Sequence, residues 1–81
     1  MGRLHSIGKT RIVVYGNDHL PPHFHVVSPD VEALVAIETM AIIKGELPRA
    51  LRAAVMDWAH ANRAAIADEW NRINPRFPIA G

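Results

Sequence analysis

Between Lys9 and Tyr15 the chain reads K-T-R-I-V-V-Y, an alternating, β-branched run that predicts a strand over 9–15, ended by Gly16-Asn17-Asp18. Asp18 to Pro22 is a loop, because two adjacent prolines cannot join a regular ladder. His23 to Ser28 predicts a second strand, Pro29-Asp30 a turn, Val31 to Glu38 a third strand and Ala41 to Lys44 a fourth. Short connections between successive strands favour an antiparallel meander of three to four strands. From Leu47 the period changes. Leu51, Val55, Trp58, Ile66, Trp70 and Ile73 recur at helical spacing, with Pro48 suited to the first turn and Asn74-Pro75 as the stop. One long helical segment over 48–73 is predicted, on the order of 40 Å at 1.5 Å per residue. The alternative is a break near Asn62, which would cap a second helix. Residues 74–81 form a tail. The expected fold class is α+β, a single domain over 1–81 with the helix packed on one face of the sheet.

The turn at Pro29-Asp30 sets a register. If Ser28 lies opposite Val31, then His25 faces Leu34 and His23 faces Ala36. Alternation across the strands then separates two faces. One collects Phe24, Val26, Val31, Ala33, Val35 and Ile37 and belongs under the helix, with Ile12 and Val14 of the first strand. The other collects His23, His25, Glu32, Leu34, Ala36 and Glu38, with Arg11, Val13 and Tyr15, and is expected to be an open sheet face.

Composition narrows the classes without choosing among them. The 81 residues are 49% hydrophobic with few aromatics, so a thin core around large anchors is expected, Trp58 and Trp70 first among them. Net charge is +1, the charges are mixed and the pI is near 8.3, so non-specific binding of duplex DNA is not expected. Absence of cysteine removes disulfides, thiol nucleophiles and cysteine–zinc sites. No signal-peptide pattern and no bilayer-length apolar run is present, so a cytoplasmic location is expected, with no membrane partner.

Three chemistries suit the histidine face. His23 and His25, at i and i+2 on one strand, project about 7 Å apart and would share a divalent metal such as zinc if His19 and Asp18, or Glu38, completed the ligand set. The same groups would suit metal-free RNA cleavage, with His23 and His25 as acid and base, Glu38 tuning one of them, Arg11 on the phosphate and Tyr15 stacking on a base. A partner surface is the third reading, with Val13, Leu34 and Ala36 among polar neighbours. Against all three stands the plain alternative of half-exposed strand histidines bonded to the loop backbone. The arginines of the helix, Arg49, Arg52, Arg63 and Arg72, read first as a solvated face. His5 and His60 have no visible company and receive no role.

The stretch Asn17-Asp18-His19-Leu20-Pro21-Pro22-His23-Phe24-His25-Val26 resembles the signature of a small bacterial family, domain of unknown function 4160, with its core motif P-P-H-x-H-V. The resemblance continues through Glu32–Thr39, Gly45-Glu46-Leu47-Pro48 and the Trp58, Asn62-Arg63, Trp70 pattern. It implies a β-meander followed by helical structure. Pro21, Pro22, His23, His25 and Val26 match the motif and are its implied functional positions; Asp18 and His19 stand in the same stretch, and Glu38 follows in the next strand. Some members are associated with toxin–antitoxin modules. The resemblance thus implies either an RNase-like toxin acting on RNA or a DNA- or partner-binding role. The reading preferred is a small interaction module whose partner is a protein from an adjacent gene; the alternative is an enzyme, an RNase-like toxin or a metal-dependent hydrolase, with His23 and His25 central. Whether the chain is an enzyme is left open.

Overall fold

The computed structural model describes residues 2–16, 21–76 and 78–79, and in it the alternating segments assemble into one antiparallel sheet. Its strands are β1 (Gly2–Ile7), β2 (Thr10–Val14), β3 (His23–Val27), β4 (Glu32–Ala36) and β5 (Ile42–Gly45), side by side in chain order. Two helices follow, α1 (Arg49–Ala61) and α2 (Arg63–Ile73). The α+β meander is as expected, but it has five strands where three or four were predicted. The extra strand is β1. Arg3 pairs with Val13 and His5 with Ile12, leaving Leu4 as a bulge residue, so Leu4 and Ile7 both pack toward the core without a period of two. The irregularity hides the strand from a periodicity argument.

The register around the second turn is the one the sequence predicts. His23 lies opposite Ala36, His25 opposite Leu34 and Val27 opposite Glu32, with the Ser28 amide donating to the Val31 carbonyl at 2.9 Å. The core face follows from it. Ile12, Val14, Phe24, Val26, Val35 and Ile37 are fully buried, and Val55 and Ala59 of α1 with Ile66, Ala67 and Trp70 of α2 close over them. Burying a side chain the size of Phe24 contributes about 1.5–3 kcal/mol.

The single long helix is corrected to two. A continuous helix over 48–73 would run on the order of 39 Å, whereas the longest dimension of the chain is 33 Å. A straight helix would carry its apolar stripe past the end of the sheet. Asn62 makes the break, although not as an N-cap: it makes no side-chain capping bond to α2. Its side-chain amide instead donates to the Trp58 carbonyl at 2.8 Å, and its backbone N–H to the Trp58 and Ala59 carbonyls, which ends α1. Pro48 sits at the N-cap of α1, one position before the first helical turn. α2 stops at Asn74, as expected, and the Asn74 side-chain amide donates to the Tyr15 carbonyl at 3.0 Å. That bond pins the end of α2 to the end of β2. Ile79 is tied back to α2, where the Asn71 side chain both donates to and accepts from its backbone.

Two corrections concern aromatic side chains. Trp70 is fully buried, but Trp58 is only partly so. The ring of His5, assigned no company from the sequence, stacks on it at 4.8 Å with the planes 2° apart.

Candidate functional site

Pro21 and Pro22 keep the loop before β3 out of the sheet, and β3 begins at His23. Because β3 lies between β2 and β4, its side chains on the second face are flanked by those of Val13 and Tyr15 on one side and Leu34 and Ala36 on the other. The two histidines share a strand face yet meet different surroundings. His23 is fully buried. Its Nδ1–H donates to the Pro21 carbonyl at 2.8 Å, and its ring lies 5.7 Å from Trp70 and 5.1 Å from His25. His25 keeps 14% of its side chain exposed, presents an edge contact with Tyr15 at 4.5 Å and places Nδ1 3.4 Å from a carboxylate oxygen of Glu32.

The expectation that both imidazoles open to solvent is therefore corrected for His23, and His25 is open only in part. The physical reason is α2, whose C-terminus is held at the Tyr15 end of β2, next to the start of β3, and brings Trp70 against His23. Of the plain reading, His23 keeps the bond to loop backbone but not the half exposure, since it is fully buried. The open apolar surface is corrected too: Val13, Leu34 and Ala36 are 4–8% exposed and belong to the interior.

The remaining predicted residues are dispersed. Arg11 is exposed at the far end of β2, opposite Val27. Glu38 is exposed in the β4–β5 turn; its carbonyl, not its carboxylate, accepts from Arg63 at 3.5 Å, and among the described residues its side chain makes no hydrogen bond or ion pair. Pro21 is exposed, Pro22 is buried, and Val26 is a core residue. Asp18 and His19, the suggested further metal ligands, lie outside the described residues. Among the described residues no three His, Asp or Glu side chains are gathered as a metal would require.

What the structure does bring together is a cleft of about 370 Å³ beside His25, lined also by Glu32, Leu34 and Lys44 and by Ala33 and Gly45. An imidazole, a carboxylate and an ammonium thus surround a largely apolar base. The Glu32 carboxylate accepts from the His25 ring wherever Nδ1 carries the proton, and keeps further acceptor capacity toward the cleft. From the sequence, Glu32 was placed on the histidine face but given no role, and Lys44 was not singled out. Glu32 was legible, since it is the diagonal neighbour of His25 in the predicted register. Lys44 was not, because the irregularity between Leu34 and Val35 decides which β5 residue opposes Leu34.

Among known sequences, the family described as a domain of unknown function (DUF4160) matches residues 10–71. No curated protein and no solved structure matches the chain. No helix among the described residues is long and apolar enough to cross a membrane.

Proposed function

The chain belongs to the DUF4160 family of unknown function, and from that premise we propose that it is a small interaction module, serving beside the product of an adjacent gene in a toxin–antitoxin-type operon. The cleft at His25 carries the reading. It offers one hydrogen-bonding ring, one charge of each sign and an apolar base within a single depression, a set suited to seating a mixed polar and apolar protruding segment. No observation favours the RNase-like or metal-dependent alternative, which asks for two accessible imidazoles where His23 is enclosed.

The test is co-expression with the tagged product of the adjacent gene. Since Val13 and Leu34 are interior, charges there would test folding rather than binding, and the informative changes are His25→Ala with Lys44→Glu. The pair is expected to reduce co-purification at least tenfold with Tm within a few degrees of the parent. Undiminished co-purification from this double variant would sink the proposal. RNA loss on expression, cancelled by His25→Ala, would replace it with the RNase reading.

A further inference from the structure

Toward α1 from β5 lies a second concave surface, which shares Gly45 with the His25 cleft and is otherwise lined by different residues. Two depressions of about 450 and 550 Å³ run between β5 and α1 and share Ile42 and Arg52, so they form one groove. Met40, Ile42, Met56 and Leu47 supply its apolar floor, and Arg49 and Arg52 stand on its rim.

The charges of this rim run against ordinary helix design. The N-terminus of α1 carries the positive end of the helix dipole, where acidic side chains are favoured. The first turn holds no acid and the N-cap is Pro48, which makes no side-chain capping bond. Arg49 and Arg52 occupy the turn instead. The ion pairs among the described residues are His25–Glu32 and Glu69–Arg72, so neither arginine is paired with a carboxylate among the described residues. The one acid at the groove, Glu46, leaves the rim with an excess of positive charge. Beside it, β5 is the last strand of the sheet, its outer backbone groups have no strand to bond, and Ile43 on it is the exposed large hydrophobic, at 43%.

We infer that the β5–α1 groove docks an acidic, extended segment of a partner protein, which adds to β5 as a further strand. Main-chain bonds to β5 would supply affinity, apolar side chains would fill the floor, and carboxylates would meet the two guanidiniums. A second copy of the chain is the poorer occupant: twofold pairing through β5 sets the same patch on both sides and brings Arg49 and Arg52 of each copy together. Shortness and the bulge against β4 also blunt β5 for self-pairing.

The probe is a fluorescein-labelled octapeptide alternating Glu with Val, against a control with Lys in place of Glu, followed by anisotropy and by backbone amide exchange. The acidic peptide is expected to bind saturably, to slow amide exchange within 42–45 and to bind at least tenfold less well to Arg49→Glu/Arg52→Glu. That same double variant is expected to melt higher by roughly 2–8 °C, because acids replace arginines at the positive end of α1. Higher stability with lost binding separates docking from damage to the fold. Equal binding of the lysine peptide, displacement of the acidic peptide by an oligouridine strand, or dimerisation of the unliganded chain through β5 would each overturn the inference. His25→Ala, which touches neither Arg49 nor Arg52, is expected to leave peptide binding within twofold, so loss of co-purification at the His25 cleft and loss of peptide binding here are read apart.

Discussion

Gly45→Ala and Gly8→Ala are the same chemical change at two positive-φ positions, and the structure predicts different costs for them. Gly8 has φ +58° in the turn joining β1 to β2, and a Cβ added there meets nothing within 4 Å. Its cost is the left-handed conformation alone, about 1 kcal/mol, partly offset by the stiffer unfolded chain. Gly45 has φ +79°, and its Cβ would fall 2.2 Å from the Glu32 carbonyl oxygen and 3.0 Å from the Ala33 Cα, inside the ordinary contact range that begins at 3.4 Å. These are backbone atoms of the paired strand, so no side chain can swing away. Either β5 moves by more than an ångström or the β4–β5 ladder opens, at about 1–3 kcal/mol beyond the conformational cost. The total is about 2–4 kcal/mol, on the order of 15 °C in Tm for a domain of this size. Thermal and urea denaturation followed by circular dichroism, on both variants side by side, gives the comparison. If Gly45→Ala is no less stable than Gly8→Ala, the close approach of β5 to β4 is not real, and the cleft that Gly45 lines goes with it.

Two further outcomes follow from side-chain bonds. Asn71→Ala removes both hydrogen bonds to Ile79 and is expected to cost about 1–2 kcal/mol, with faster trimming of the C-terminal residues by carboxypeptidase as the readout; unchanged trimming rates would mean the tail is held by other contacts. Two hydrogen bonds from Arg72, at 2.6 and 2.9 Å, hold the Glu69 carboxyl below its usual value of 4.5. A lowered carboxyl contributes stability that is complete above the unfolded value and lost as the pH falls through the folded one. The fall in urea midpoint below about pH 4.5 should therefore be shallower in Glu69→Gln, and a matching slope in both proteins would dismiss the pair as a source of acid sensitivity.

The parts of the fold that were legible in the sequence depend on short-range rules. Pro29-Asp30 fixes a two-residue turn, alternation then fixes every partner from His23–Ala36 to Val27–Glu32, and the core face follows from Phe24 to Ile37. What escaped depends on distant or irregular geometry. β1 was lost because Leu4 interrupts its period. The helix break was legible only as an alternative, since the sheet's size, not helix propensity, forbids a straight run. The burial of His23 turns on Asn74, a residue 59 positions from the Tyr15 it holds, and no local pattern announces such a tie. His23 was thus read as exposed when it is interior, while Glu32 was placed on the histidine face without a role and Lys44 was overlooked.

Each strand of the sheet bonds to the strand next to it in the chain, so the ladder assembles through brief closures that cost little loop entropy. The contacts that close the structure over longer stretches of chain are those of α2, where Asn74 bonds the Tyr15 carbonyl and Trp70 lies against the ring of His23. The P-P-H segment therefore owes its enclosure to an element about fifty residues further along, and a change at that helix is felt at its imidazole.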